Sequence, residues 1–152
     1  MAYTNADART QLLMTLAEAT DHLGGALAAL GAAYEQLDDT TADRLEEELF
    51  RPVQVAYGRA KRAHDEFAQR SGLPSRPFEQ PAPGHPPNGA RGQIDRAVDN
   101  VRSADETLAT LQDSMLPVEV GDPELRAALS DVRERVGQTA NRARELTRIL
   151  GR

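Results

Sequence analysis

Apolar residues recur at alternating intervals of three and four along four stretches of the chain, the spacing of a helix with one apolar stripe. We call each stripe a seam. The first seam consists of Leu13, Leu16, Thr20, Leu23, Leu27, Leu30, Tyr34 and Leu37. Small residues flank it, with Ala17, Gly24 and Gly31 on one side and Ala19, Ala26 and Ala33 on the other. Because small side chains let a neighbouring helix approach closely, we expect this helix to be buried over a wide face.

Three further seams predict three more long helices. The second seam consists of Ala42, Leu45, Leu49, Val53, Ala56, Ala60, Ala63 and Phe67. The third consists of Ile94, Ala97, Val101, Ala104, Leu108, Leu111 and Met115. The fourth consists of Leu125, Leu129, Val132, Val136, Thr139, Ala143, Leu146 and Leu150.

The central apolar positions of the seams predict the core. The residues expected to be buried are Leu16, Leu23, Leu27, Leu30, Leu49, Val53, Val101, Leu108, Leu129, Val132, Val136 and Leu146. Removing a central leucine, as in Leu27→Ala, is expected to cost roughly 2–5 kcal/mol of stability.

Local signals mark the ends of the predicted helices. Thr40 is expected to cap the start of the second helix, as part of a near capping box. Gly72 is expected to end it, because glycine adopts the left-handed conformation that closes helices and Pro74 prevents continuation. Asp122, just before Pro123, is expected to cap the start of the fourth helix.

Pro52 lies inside the second predicted helix. Proline lacks an N–H and disfavours helical geometry at the preceding residue, so we predict a kink or short break near residues 48–52. With the first turn centred at Asp39–Thr40, Pro52 lies opposite Leu27 and Val55 lies opposite Gly24. These residues lie at the same height along the hairpin. We expect them to serve either close packing of the two helices or a hinge with a small pocket.

Residues 72–92 are rich in proline and glycine, which is typical of a connection. Pro74–Pro77 and Pro83–Pro86 also match the PxxP pattern of polyproline ligands. A connector that crosses the end of a bundle, or runs its length, would have the same composition. Phe78 is expected to anchor the segment to the bundle.

The seams and the linker together predict an all-α fold, with four long helices in two antiparallel hairpins. The hairpins comprise residues 5–71 and 93–151, within a single domain of residues 1–152. Because an up-down-up-down four-helix bundle buries all four seams at once, we predict that topology.

The composition restricts the function classes that remain. The 152 residues contain no cysteine, which excludes a thiolate nucleophile, a disulfide framework and a Cys-based zinc site. No apolar run approaches the ~20 residues of a membrane span, and the first residues lack the pattern of a signal peptide. A formal net charge of −6 disfavours a general nucleic-acid binder. We therefore expect a cytoplasmic protein that binds neither membrane nor nucleic acid.

No segment carries a recognisable catalytic, metal or nucleotide motif. The Glu-x-x-His pairs of metal-binding bundles and the Gly-x-Ser-x-Gly setting of a serine nucleophile do not occur in the sequence. The run His64–Asp65–Glu66 is compatible with acid–base chemistry or metal binding, and a solvated helix face explains it equally well. We therefore predict no cofactor and no metal, and an enzymatic role is not favoured.

Charge is the most informative polar pattern. In an up-down-up-down bundle both short turns lie at one end, so that end would gather acidic residues, among them Asp38, Glu47, Asp122 and Glu124. The other end would gather arginines, Arg70 and Arg142 among them, and the bundle would have a negative and a positive pole. The residues that we single out as an interaction surface are Asp38, Asp39, Asp43, Glu46, Glu47, Arg59, Lys61, Arg62, His64 and Arg142.

Two functions are consistent with these features. The first is a protein–protein interaction or structural bundle, whose partner is another protein or a second copy in a homodimer. The alternative is a small-molecule-binding or sensor bundle with a pocket between its helices. Small residues would line such a pocket, or serve tight packing, at Thr20, Ala60, Ala63, Ala97, Ala104, Thr139 and Ala143.

Overall fold

A computed structural model describes residues 5–85 and 89–150, without the side chain of Leu150, and these residues are helical apart from the connections. The elements are α1 (Asn5–Tyr34), α2 (Asp39–Leu45), a π-helical segment (Glu46–Phe50), α3 (Arg51–Ser71), α4 (Gly89–Asp113), α5 (Leu116–Val120) and α6 (Pro123–Leu150). Because α2, the π-helical segment and α3 follow one another without a gap, they form one long helical stretch. The predicted all-α fold with four long helices is therefore confirmed.

The four long helices surround a single core of leucine, valine and alanine. Both α1 and α6 pack against α3 and α4, so α1 and α6 occupy one diagonal of the bundle. Every residue predicted for the core is at most 3% exposed. The central positions of the seams therefore identified the buried faces correctly, whereas Tyr34, near the end of the first seam, is 39% exposed.

Helix α1 is buried on more sides than the other helices. Besides α3 and α4 it contacts α5, and the linker residues Leu73 and Pro74 lie beside Leu13 and Met14 on a further side. A helix with neighbours around most of its circumference needs little polar surface, which explains its abundance of alanine and leucine. The predicted wide buried face is confirmed, since the flanking Ala19, Ala26 and Ala33 are fully buried.

The start of α2 differs from the prediction. Asp38 is the capping residue, and its carboxylate accepts a hydrogen bond from the backbone N–H of Thr41 at 2.7 Å. Asp38 also has the extended backbone of a capping residue, whereas Thr40 already lies inside the helix. The assignment of the cap to Thr40 was therefore wrong by two residues.

The two other predicted helix ends are confirmed. Gly72 has a φ of 67° and closes α3, with the N–H of Leu73 donating to the carbonyl of Ala68 at 2.9 Å. At the start of α6, the carboxylate of Asp122 accepts a hydrogen bond from the N–H of Leu125 at 2.9 Å.

Pro52 distorts its helix without breaking it. The distortion is the π-helical segment Glu46–Phe50, which ends with the N–H of Arg51 donating to the carbonyl of Glu46. A π turn inserts an extra residue, and here it adjoins the position where proline supplies no N–H. The predicted irregularity is present as a widened turn centred on residue 48, two residues before the centre of the predicted range, and the helix continues to Ser71.

The connection after α3 determines the topology. Its described part, residues 72–85, turns back along the bundle, and Arg76 pairs with Asp21 in the middle of α1. Helix α4 then begins beside the C-terminal end of α1, where Gly89 lies close to the side chain of Gln36. Helix α4 therefore runs antiparallel to α1 and parallel to α3.

The predicted up-down-up-down order is consequently wrong, and the observed order is up-down-down-up. An extended segment of about 17 residues spans roughly 50 Å. That is about the length of the helical stretch from α2 through α3, at 1.5 Å per residue. The linker is thus long enough to return the chain to the end where α2 begins. Pro86 and Pro87 of the predicted linker lie outside the described residues, and residues 89–92, which were also assigned to the linker, belong to α4.

The turn between α4 and α6 contains a short helix that the seams did not predict. Helix α5 follows two bent residues and packs against α1. Met115, assigned to the third seam, is 63% exposed because α4 ends at Asp113. The third seam is therefore one position shorter than predicted.

Candidate functional site

The predicted charged poles do not form. Arg70, at the end of α3, donates two hydrogen bonds of 3.0 Å to Asp122 and lies 3.1 Å from Glu124. Asp122 and Glu124 had been assigned to the negative pole and Arg70 to the positive pole. Because α4 runs parallel to α3, the two short turns lie at opposite ends of the bundle and the charges mix.

In the observed up-down-down-up arrangement, a groove lies between α3 and α6. This groove, which we call the arginine groove, has a volume of about 270 Å³. Its lining residues are Glu47, Arg51, Pro52, Val55, Arg135, Gln138, Thr139 and Arg142. It lies where the π-helical segment passes into α3.

The two walls of the arginine groove come from regular helix faces. On α6, the lining residues Arg135, Gln138, Thr139 and Arg142 follow the spacing of one helix face. The first and last of them are two turns apart, about 10 Å along the axis. The opposite wall is formed by the first turn of α3, where Val55 is 41% exposed.

The guanidinium groups of the arginine groove are only partly engaged. Arg135 donates to Asp131 one turn earlier on α6, at 3.2 Å. Arg51 approaches Glu46 to 3.9 Å, with a side chain that is 67% exposed. Arg142 makes no ion pair with any residue in the described part of the chain. Since each guanidinium carries five N–H donors, most donors of the groove are available to a ligand.

Between the arginine groove and the start of α6, ion pairs link the same two helices. Arg59 on α3 pairs with Asp131 on α6 at 3.1 Å, and Arg70 pairs with Asp122 near the end. The hydrogen bonds from Arg70 hold the pKa of Asp122 below its ordinary value, because they stabilise the charged carboxylate. The arginine groove therefore adjoins a part of the α3–α6 contact that ion pairs bridge.

The structure brings together two of the predicted interaction residues that had been placed at opposite poles. Glu47 and Arg142 both line the arginine groove. Asp39 and Asp43 are exposed at the start of the same helical stretch, and Glu46 lies in the π-helical segment. Asp38 serves as the helix cap, and the hydrogen bond from Thr41 lowers the pKa of its carboxyl.

The other predicted interaction residues lie farther along α3. Arg59 pairs with Asp131, as described above. The ammonium of Lys61 lies 4.4 Å from the centre of the Tyr57 ring, a cation–π contact. Arg62 is exposed. These residues do not line the arginine groove.

His64 of α3 contacts the linker through the ring of Phe78. It is 3% exposed, and its ring meets the ring of Phe78 edge-on at 4.9 Å. The predicted role of Phe78 as the anchor of the linker is confirmed. Burial lowers the pKa of His64, and the nearby charge of Arg76 lowers it further. Because the neighbouring Asp65 and Glu66 are exposed, the three residues do not converge on one site.

A second opening lies between α1 and the start of the linker. It is a mostly apolar cleft of about 270 Å³, and Arg76 lies at its edge. Its other lining residues are Thr10, Leu13, Met14, Ala17, His64, Leu73 and Pro74. Of the residues that we had expected to line a pocket between helices, Thr139 lines the arginine groove. The other six are packed inside, each at most 5% exposed.

Sequence reasoning named part of the lining of the arginine groove. Pro52 and Val55 were named at a level that serves either close packing or a hinge with a small pocket, and Thr139 was named among the residues that would line a pocket between helices. Arg51, Arg135 and Gln138 were not singled out. The signal that was present is the stripe of Arg135, Gln138 and Arg142 beside the fourth seam. Its meaning depends on which helix lies opposite, and the wrong topology misplaced that partner.

Comparisons with models of known protein families, with curated proteins and with solved structures found no match for this chain. Among the described residues, no helix is long and apolar enough to cross a membrane. Nor do the described histidines and acidic residues form a group of three or more that could bind a metal ion.

Proposed function

We propose that this protein is a helical-bundle interaction module that binds another protein through the arginine groove. The observation that supports this most strongly is a groove lined by three arginines and one glutamate on a chain whose net charge is −6. Clustered arginines with free donors are common at protein interfaces, where their planar groups form several hydrogen bonds at once.

The shape of the arginine groove also favours a protein over a small molecule. Small-molecule sites are concave and enclose most of the ligand. Arg51 and Arg142 are exposed at the rim of this groove, and Val55 in its lining is 41% exposed. A macromolecular surface can cover such a groove and exclude water from it. We place the interaction in the cytoplasm, where a cysteine-free chain needs no oxidising conditions to fold.

The test is a pull-down with three forms of the chain from the cell extract of its source. The groove variant is Arg51→Glu/Arg135→Glu/Arg142→Glu. The control, Arg91→Glu/Arg102→Glu/Arg126→Glu, has the same net charge and alters exposed arginines that do not line the groove. Partners bound through the groove are retained by the wild type and the control and lost by the groove variant. Recovery of the same proteins with all three forms would contradict the proposal.

Self-association is a special case of this proposal, with a second copy of the chain as the partner. Sedimentation measurements over a range of concentrations distinguish it from a hetero-complex. A dimer that dissociates in the groove variant and persists in the control identifies the groove as a self-interface.

A second candidate function, small-molecule binding, is favoured by the apolar cleft between α1 and the linker. Leu13, Met14 and Leu73 give it an apolar lining, and linker residues form one wall. An apolar fluorescent dye, anilinonaphthalene sulfonate, is a suitable probe. Specific occupancy predicts saturable fluorescence that Ala17→Trp removes by filling the cleft. Unchanged fluorescence in that variant argues against the cleft as a ligand site.

A further inference from the structure

The arginine groove has a repeat of positive charge that matches the geometry of a helix. Arg135 and Arg142 are seven residues apart on α6, so their backbone positions are separated by about 10 Å along the axis. Arg51 reaches the groove from the opposite wall. Any helix laid along the groove presents residues seven positions apart at the same separation.

The floor between these charges suits a small apolar side chain. Pro52 has no N–H that needs a partner, and Val55 leaves 41% of its surface exposed. Thr139 is 3% exposed, and its hydroxyl donates to the carbonyl of Arg135 at 2.8 Å. A ligand that covers the floor therefore leaves the hydroxyl of Thr139 satisfied and removes the exposed surface of Val55 from water.

The distribution of charge selects the kind of acidic partner. The lining of the groove carries three arginines and one glutamate, Glu47, whereas the chain as a whole has a net charge of −6. Surface charges act over about 8 Å at physiological salt, so a short acidic segment is attracted by the groove alone. A long polyanion such as a nucleic acid also meets the surrounding acidic surface and is repelled by it.

From these observations we propose that the arginine groove binds an acidic helix of a partner protein. The helix places carboxylates seven residues apart against Arg135 and Arg142 and a small apolar residue between them over Val55. Arg51 provides a third contact for a carboxylate on the opposite side of that residue. This inference rests on the proposed interaction function and names the chemistry of the partner.

The test uses a designed helical peptide of about 15 residues, the length at which isolated helices begin to be stable. The peptide is alanine-rich, with a central valine, glutamates seven positions apart around it and a fluorescent label. A second peptide has the same composition with the glutamates five positions apart, and a third has lysine in place of glutamate. Fluorescence anisotropy measures binding to the wild type, the groove variant and the control variant at low and high salt.

The expected result is binding of the first peptide to the wild type and the control, weakened by salt. The groove variant is expected to lose at least about tenfold in affinity, since the attractions between the arginines and the peptide carboxylates become repulsions. The peptide with the altered spacing is expected to bind several-fold more weakly, and the lysine peptide not at all. Helix content by circular dichroism shows that the three protein forms are equally folded.

Four outcomes of the direct binding measurements, without a competitor, overturn the proposal. They are no binding of the acidic peptide, equal binding to the groove variant, equal binding of the two glutamate spacings, and tighter binding of a single-stranded oligonucleotide of equal charge. Full competition by inorganic phosphate near the protein concentration also overturns it, because the groove would then be a small-anion site. If the acidic peptide fails while partners in the pull-down still depend on the groove, the helix inference fails and the interaction function stands.

Discussion

The contact between α1 and α4 and the contact between α3 and α6 belong to the same bundle but differ in how they are filled. Small residues on α1 bring its neighbours close, so that Gly25 lies against Asn100 of α4. Where the first turn of α3 faces residues 135–142 of α6, long arginines and Pro52 take the corresponding positions, and the arginine groove remains between the helices. The comparison teaches that the residues beside a seam, more than the seam itself, decide whether two helices close completely.

The largest difference between the two contacts is expected for truncation of an apolar side chain. Leu27 in α1 is 3% exposed, and Leu27→Ala is expected to lower the free energy of unfolding by roughly 2–5 kcal/mol. Val55 in the arginine groove is 41% exposed, and Val55→Ala is expected to change it by less than about 0.5 kcal/mol. Urea unfolding measures both values. Similar losses for the two variants would show that the groove is part of the core.

The next effect concerns the part of the α3–α6 contact that ion pairs bridge, near the start of α6. Asp122 caps α6 and also accepts two hydrogen bonds from Arg70, so Asp122→Ala is expected to cost about 1–2 kcal/mol. A double-mutant cycle with Arg70→Ala separates the ion pair from the cap, with an expected coupling near 1 kcal/mol. An absence of coupling would contradict the parallel arrangement of α3 and α4, because only that arrangement brings the two residues together.

Four helical glycines give a smaller and more local test of close packing. Gly31 and Gly58 have open space where a Cβ would lie, so alanine at either position is expected to stabilise the fold by about 0.5–1 kcal/mol. A Cβ at Gly24 would lie 3.3 Å from the ring of Tyr57, and one at Gly25 would lie 3.2 Å from the amide of Asn100. Alanine at Gly24 or Gly25 is expected to give no such stabilisation, or to lower the free energy of unfolding. Equal stabilisation at all four positions would remove the proposed role of small residues in closing α1.

The smallest expected effect is a pH dependence where the linker covers the bundle. Because burial lowers the pKa of His64 below its ordinary value of 6.5, the folded state binds this proton less readily than the unfolded state. The contribution of His64 to stability is therefore fully present above that value. It decreases as the pH falls from about 6.5 towards the lower pKa of the folded state. Arg76 favours the neutral ring, whereas Asp65 and Asp21 partly oppose the shift.

Replacement of the histidine isolates this effect. His64→Phe keeps a ring against Phe78 and is expected to remove the loss of stability between neutral and mildly acidic pH. His22→Gln, a partly exposed position on α1, serves as the control and is expected to retain it. Thermal unfolding at several pH values measures the difference. An unchanged pH profile in His64→Phe would show that another group is responsible.

The buried faces could be predicted from the sequence because they depend on local spacing. The apolar residues of each seam lie on one helix face whatever its neighbours are, and the ends at Gly72 and Asp122 depend on a few adjacent residues. The cap at Asp38 was missed because Thr40 and Asp38 are both good capping residues within one turn. The π-helical form of the distortion at Pro52 also depends on how the surrounding helices accommodate it.

The topology and the arginine groove could not be predicted, because both depend on which helix ends meet. A proline-rich connection of this length can cross the end of a bundle or run along it, and its composition is the same in either case. The contacts of Arg76 with Asp21 and of Phe78 with His64 fix its path. The groove follows from that path, since Arg51 and Arg142 become neighbours only when α6 lies antiparallel to α3.

The measurement that tests the central claim most directly is a map of backbone amide chemical shifts during titration with the acidic helical peptide. If the open contact between α3 and α6 is the binding surface, the largest changes are expected at Arg51, Val55, Gln138, Thr139 and Arg142. The closed contact between α1 and α4, reported by Leu23 and Asn100, is expected to remain unchanged. Largest changes at the α1–α4 contact or in the cleft beside the linker, or no changes at saturating peptide, would contradict the account.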